Sequence, residues 1–184
     1  TLRGRTAGIF GLGRIGMAIA RRLDGFDIPI HYHNRSKRQD ISFPYRYEES
    51  LVELADAVDL LICVVPGGEG TEKVIDAEVF EALGPNGVFI NVGRGSTVDE
   101  AAMIEALSSG KIAAAGLDVF ADEPNVPQAL IDLPNVCLLP HVASASIDTR
   151  NKMANLVVDN LAAWLSGNPA LTPVPETRSL NHDD

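Results

Sequence analysis

Short runs of apolar, β-branched residues alternate along this chain with longer stretches in which apolar positions recur every three or four residues. The first pattern is that of strands buried on both faces, and the second that of helices laying one stripe on a sheet. Residues 6–10, 28–33, 60–65, 88–92, 113–118 and 136–139 are the predicted strands. Residues 14–23, 51–57, 76–83, 99–109 and 146–165 are the predicted helices. Ser50 is placed to cap the second helix, while Gly84-Pro85 and Gly110 stop the third and fourth. Strands alternating with helices at this spacing predict βαβ units, hence an α/β fold with a doubly wound parallel sheet.

The last helix carries Met153, Leu156, Val157, Leu161, Trp164 and Leu165 on one stripe. That stripe fits packing on its own sheet, or contact with an absent lobe or a second subunit. One domain is expected over residues 1–167. Pro169, Pro173 and Pro175, followed by polar residues, predict an extended or disordered tail over residues 168–184.

Composition narrows the class. With 46% hydrophobic and 22% charged residues, the chain of 184 residues reads as a globular domain able to bury a core. A formal net charge of -10 disfavours nucleic acid and anionic membranes as partners. No apolar run is long enough to cross a bilayer, and no signal peptide opens the chain, so a cytoplasmic protein is expected. The chain starts at Thr1 rather than at Met, which predicts missing upstream residues. Cys63 and Cys137 lie in apolar runs and read as buried, inert thiols rather than as disulfide partners or metal ligands. His31 and His33 share one strand face, but too few further ligands stand near them for a metal site, so both read as sheet-surface residues.

Chemistry enters at the first turn. Gly11-Leu12-Gly13-Arg14-Ile15-Gly16 is a GxGxxG run that follows a predicted strand and opens a predicted helix. In that context Gly11 permits a tight turn, Gly13 lets backbone approach a pyrophosphate, and Gly16 lets helix and strand pack closely. The first helical N–H groups, from Arg14 and Ile15 onward, then face an anion. This makes the domain a Rossmann-type dinucleotide-binding domain.

The end of the second strand addresses the choice of nucleotide. NAD-binding sheets usually carry Asp or Glu there to hold the ribose 2′-hydroxyl. Here Asn34 takes that place, followed by Arg35, Ser36, Lys37 and Arg38. A guanidinium and a hydroxyl suit a 2′-phosphate through charge-assisted hydrogen bonds. NADP(H) is therefore expected over NAD(H), with Asn34, Arg35 and Ser36 as contacts; the competing reading is a solvated basic turn.

Three further motifs follow strands: residues 91–100 (NVGRGSTVDE), 116–124 (GLDVFADEP) and 139–144 (LPHVAS). Reduction of a 2-oxo acid needs a cation for its carboxylate and a proton donor for its carbonyl oxygen. Arg94 offers a bidentate fork, His141 a general acid near neutral pH, and Glu123 a carboxylate to orient the imidazole. Each has a plain alternative: Arg94 paired with Asp99, Glu123 as a solvated loop acid, His141 packed in the core.

These motifs, in this order, resemble the D-isomer-specific 2-hydroxyacid dehydrogenases, which include glyoxylate/hydroxypyruvate reductases. The resemblance runs from about Leu2 to about Asn168. It implies that Arg94 binds the substrate carboxylate and carbonyl, that His141 is the acid/base and that Glu123 is its partner. It further implies that Asp118 fixes the nicotinamide carboxamide, with Val92, Gly93 and Ser144 as its neighbours in the pocket. Val65, Pro66 and Thr71 occupy the loop that borders the adenosine half in the family. The stretch His33-Asn34-Arg35-Ser36-Lys37 is similar to that of NADPH-using members. The family's first lobe is not represented in these residues, and a homodimer is the implied assembly.

The expected activity is hydride transfer between NADP(H) and a small 2-hydroxy or 2-oxo acid of the glyoxylate or hydroxypyruvate class, without a metal. The alternatives are a nucleotide-sensing module of the same fold and a dehydrogenase of another small anion such as phosphite. A serine hydrolase is disfavoured, because Ser144 and Ser146 lie in no GxSxG elbow.

Overall fold

A computed structural model describes residues 1–174, 176 and 177. The chain divides into two compact units, Thr1–Pro140 and His141–Asp184.

The first unit is built on a seven-stranded, wholly parallel sheet in the order β3-β2-β1-β4-β5-β6-β7. The strands are β1 (Ala7–Phe10), β2 (Ile30–His33), β3 (Arg46–Tyr47), β4 (Leu60–Cys63), β5 (Val88–Asn91), β6 (Ala114–Leu117) and β7 (Val136–Leu138). Between them run α1 (Arg14–Leu23), α2 (Leu51–Asp56), α3 (Ala77–Leu83), α4 (Glu100–Ser108) and α5 (Gln128–Ile131). The expected doubly wound α/β sheet is the one observed.

Side chains alternate across the sheet and build a core on each face. Phe10, Leu61, Cys63 and Phe89 pack with Leu54 of α2, Phe80 of α3 and Met103 of α4. Ala7, Ile9, Leu60 and Ile62 turn the other way and meet Met17 and Ala20 of α1. Burial on both faces is why these strands are continuously apolar.

Local signals set most of the ends. Ser50 caps α2 in a capping box: its hydroxyl accepts from the Glu53 N–H at 3.1 Å, and the Glu53 carboxylate accepts from the Ser50 N–H at 3.0 Å. Asp76 and Asp99 cap α3 and α4 through their carboxylates alone, which accept from the Glu78 and Val79 N–H groups and from the Ala102 N–H respectively. Ser50→Ala is expected to cost about 1 kcal/mol, lowering the melting midpoint of the full-length protein by a few degrees. An unchanged midpoint would show the cap to be redundant.

One strand and one α-helix lie outside the sequence expectation. β3 is two residues long and sits at the sheet edge, too short to leave a periodic signal. α5 is a single turn of four residues after Pro127. One expectation is corrected: Cys137 is exposed, whereas Cys63 is buried. β7 forms the other edge, and Cys137 is in register with Gly116, on the face away from α2, α3 and α4. An apolar run on an edge strand turns only alternate positions toward the core, here Val136 and Leu138, which are partly buried.

The second unit contains α6 (Ile147–Leu165), capped by the Ser146 hydroxyl, which accepts from the Thr149 N–H at 3.2 Å. Asn160 and Thr172 hydrogen-bond one another through both main-chain and side-chain atoms, which ties residue 172 back to the helix. The expectation of an extended or disordered tail falls in part on residues 175 and 178–184, which lie outside the described residues. Among the described residues no helix is long and apolar enough to cross a membrane.

Candidate active site

β1 lies between β2 and β4, where the order of the sheet reverses. In such sheets the loops leaving the two sides diverge at the carboxyl ends and open a crevice. A cavity of about 730 Å³ occupies that place. It is lined by Gly11, Leu12 and Gly13 after β1, residues 33–36 and Arg38 after β2, and residues 64–71 after β4. Eight of the expected nucleotide contacts are thereby gathered: Gly11, Gly13, Asn34, Arg35, Ser36, Val65, Pro66 and Thr71.

The glycine loop has the shape the motif predicts. Gly11 has φ +102, and a Cβ on it would stand 2.8 Å from Val65 Cγ1. A Cβ on Gly16 would lie 2.3 Å from the Gly11 carbonyl oxygen, so only glycine lets α1 start this close to the turn. Nothing lies within 4 Å of a Cβ at Gly13, which faces open space. Gly13 is the N-cap of α1 and supplies no side chain to the first helical N–H groups. Closed backs at Gly11 and Gly16, an open Gly13 and uncapped amides together fit a bound pyrophosphate. Arg14 and Ile15 are exposed on the first turn and do not line the cavity.

The loop after β2 is fastened to the glycine loop at both ends of one residue. Asn34 Oδ1 accepts from the Leu12 N–H at 2.7 Å, and Arg38 Nη1 donates to the Leu12 carbonyl at 2.8 Å. Arg38 also forks onto Asp40 through Nε, at 2.8 Å, and Nη2. Hydrogen bonding to Arg38 holds the Asp40 carboxyl below the usual range, and Asp40 raises the guanidinium in turn. From the sequence alone Arg38 reads only as one more cation of the turn after β2. Its role as the clamp needs Leu12, 26 residues away, to be visible.

His33 also lines the cavity, which its reading as a sheet-surface residue missed. His31 lies against the Glu48 carboxylate, Nδ1 to Oε1 at 2.7 Å, and Arg46 reaches the same oxygen at 3.0 Å. Among the described residues no group of three or more His, Cys, Asp or Glu side chains is arranged to hold a metal.

The loops after β5 and β6 carry Arg94 and Glu123. Asn91, 1% exposed, braces the first: its Oδ1 accepts from the Gly93 N–H and its Nδ2 donates to the Arg94 carbonyl. Thr97 Oγ1 donates to that carbonyl at 2.6 Å. Arg94 is exposed, and its Nη1 donates to the Gly93 carbonyl at 2.6 Å. The alternative partner, Asp99, is instead the cap of α4. A Cβ on Gly67 would lie 3.3 Å from Arg94 Cγ, so the arginine stem borders the cavity wall. Gly95 packs so tightly on the Phe120 carbonyl that a Cβ there would stand 1.9 Å away. Glu123 Oε1 accepts from the Phe120 N–H at 3.0 Å. The loops of Arg94 and Glu123 thus meet at Gly95.

Asp118 is buried, with its N–H donating to the Asn91 carbonyl, and Val92 N–H donates to the Cys63 carbonyl. Gly93 abuts the Val65 carbonyl, 2.7 Å from the place of a Cβ. Burial pushes the Cys63 thiol up, and Thr97 Oγ1 lies 3.5 Å from its sulfur. In the second unit His141 is exposed with φ +54, a left-handed conformation that non-glycine residues rarely hold, and Ser144 is exposed three residues on.

Residues 1–143 match the family model described as D-isomer specific 2-hydroxyacid dehydrogenase, NAD binding domain. The chain belongs to the D-isomer-specific 2-hydroxyacid dehydrogenase family. It is 52% identical over 171 residues to the hydroxyphenylpyruvate reductase of Plectranthus scutellarioides, covering 93% of this chain and 54% of that protein. A glyoxylate/hydroxypyruvate reductase of Arabidopsis thaliana is 49% identical with the same coverage. Among solved structures, the NADPH-dependent glyoxylate/hydroxypyruvate reductase of Sinorhizobium meliloti, in complex with NADP and malonate, is 62% identical with a TM-score of 0.92. That match covers 96% of this chain and 55% of the other. The chain therefore spans about half the length of the relatives it matches, and the matched part is the nucleotide-binding domain of this dehydrogenase family.

Proposed function

We propose that residues 1–167 form the nucleotide-binding half of an NADP(H)-preferring reductase of small 2-oxo acids, of the glyoxylate and hydroxypyruvate class. The observation that carries the cofactor reading is the cavity wall at the end of β2. There Asn34, Arg35, Ser36 and Arg38 stand where a carboxylate would hold a ribose diol. The Sinorhizobium relative, described as NADPH-dependent, supports it.

In this reading Gly11, Gly13 and the first amides of α1, at Arg14, Ile15 and Gly16, hold the pyrophosphate. Arg35 and Ser36 hold the 2′-phosphate, and Val65, Pro66 and Thr71 border the adenosine. Asp118, Val92, Gly93 and Ser144 position the nicotinamide end. The bound nucleotide supplies the hydride. Arg94 grips the substrate carboxylate and polarises the carbonyl. His141 donates the proton to the carbonyl oxygen, and Glu123 keeps the imidazole oriented and charged. The assembly we propose is a homodimer. Exposed apolar side chains along α6, among them Met153, Val157, Leu161 and Trp164, support it.

The test is a steady-state panel on the full-length protein: glyoxylate, hydroxypyruvate and pyruvate with NADPH and NADH, and phosphite with NADP and NAD. Turnover of a 2-oxo acid with NADPH preferred is expected. Tight nucleotide binding without turnover would favour the sensor, and oxidation of phosphite alone would favour the other dehydrogenase. Arg35→Ala is expected to raise the KM for NADPH about tenfold or more and leave that for NADH unchanged, since charge-assisted hydrogen bonds contribute about 1.5–3 kcal/mol. Equal loss for both nucleotides would refute the 2′-phosphate assignment.

A further inference from the structure

His33 is the one imidazole among the described residues that lines the nucleotide cavity, and the mechanism above does not use it. Its environment fixes how it is presented. Phe10 stacks near one side, with ring centroids 5.8 Å apart and planes at 25°, and Tyr47 is likewise stacked at 6.2 Å and 19°. Nδ1 lies 2.9 Å from the Glu48 main-chain oxygen. A carbonyl only accepts, so Nδ1 carries a hydrogen and, in the neutral ring, Nε2 does not. With Nδ1 engaged by Glu48 and the ring flanked by Phe10 and Tyr47, the Nε2 side is what remains for the cavity. Neutral His33 offers a lone pair there; protonated His33 offers an N–H and a positive charge.

The charges around it come from four segments. β2 contributes His31, already against the Glu48 carboxylate. β3 and the residues after it contribute Arg46, paired with Glu48, and Glu49 and Glu53, whose charges act on Tyr47. The loop after β2 contributes Arg35, Lys37, and Arg38 with its partner Asp40. The loop after β4 contributes Glu69 on the cavity wall. β1 presents only Phe10. The carboxylates of Glu48 and Asp40 are thus committed to other cations, while Arg35 and Ser36 sit beside His33 on the cavity wall.

We propose that His33 is a pH-dependent selectivity residue, whose protonated Nε2–H joins Arg35 and Ser36 around the 2′-phosphate of the nucleotide. The proposal rests on the NADP(H) reading above. Because the dianion binds the charged imidazole better than the neutral one, binding takes up protons, and selectivity for NADP(H) over NAD(H) strengthens as pH falls. The phosphate itself titrates near pH 6, so the useful window lies above about pH 6.5.

The experiment measures dissociation constants of NADPH and NADH by fluorescence titration of the full-length protein between about pH 8.5 and about pH 6.5. The same series is run on His33→Asn, which keeps a donor for Glu48, and on His33→Phe, which keeps the ring stack. In the unsubstituted protein the ratio of the NADH to the NADPH constant is expected to rise about five- to tenfold across the window, against less than about twofold in both variants. Calorimetry of the unsubstituted protein in buffers of different ionisation enthalpy should show more protons taken up with NADPH than with NADH. NADPH preference with equal slopes in all three proteins, or equal proton uptake with both nucleotides, overturns the role of His33 and leaves the cofactor reading standing. Absence of NADPH preference at every pH overturns both.

Discussion

Replacing His141 by Asn is expected to lower kcat for 2-oxo acid reduction by about 10²–10⁴, the usual worth of a positioned general acid. That range corresponds to about 3–5 kcal/mol of barrier. Asn is the informative substitution because of the backbone. His141 sits at φ +54, and asparagine tolerates the left-handed region better than most side chains. His141→Asn therefore removes the proton without adding backbone strain, and the melting midpoint should not fall. The nucleotide dissociation constant should also stay within about twofold, since the cavity is lined by residues of the first unit. Stopped-flow reduction at saturating NADPH, alongside a binding titration, reads both quantities. A variant that keeps its rate removes His141 from the chemistry; one that loses rate only through nucleotide affinity gives it a binding role instead.

Gly95→Ala is the second substitution with a large expected effect, and it acts through two loops at once. The added Cβ would stand 1.9 Å from both the carbonyl carbon and the oxygen of Phe120 and 2.5 Å from the Ala121 nitrogen. All three are backbone atoms, so no rotamer change relieves the clash. One of the two loops must shift: the one braced by Asn91 and Thr97, which carries Arg94, or the one that carries Glu123. Overpacking of this kind costs about 1–3 kcal/mol and occasionally more, so a fall in melting midpoint of about 5–10 °C is expected. kcat/KM should drop about a hundredfold if the two loops form one site, because small misplacements carry large kinetic penalties. Gly13→Ala, where a Cβ meets nothing within 4 Å, is the control for stability. A Gly95→Ala protein that loses stability but keeps kcat/KM would show that the contact is structural only.

Most of the architecture was legible because it is written locally. α1 spans the residues its apolar spacing marks out, and α2 begins at the serine that caps it. The strands are shorter than expected by one or two residues: β1 and β2 begin later than their apolar runs, and β4, β5 and β7 end earlier, with Val64 and Val65 passing from β4 into the loop that lines the cavity. The glycine loop was readable because its three glycines fall within six residues of chain between a strand and a helix, although the Val65 contact that demands glycine at Gly11 comes from a distant segment. β3 was not readable. Two residues at an edge carry no period, and they pair only because β2 offers its free side.

The order of residues determined the class of fold, the turn that fits a pyrophosphate, and which side chains stand at the carboxyl ends of the strands, since these follow from periodicity, capping and the absence of a side chain at three positions. Tertiary structure alone decided what holds those side chains in place. The Asn34 and Arg38 clasp on Leu12, the Gly95 contact with Phe120 and the stacking of His33 with Phe10 and Tyr47 all join residues from separate segments or loops. Contacts of that kind depend on which strands become neighbours, and no local preference for helix, strand or turn encodes that adjacency.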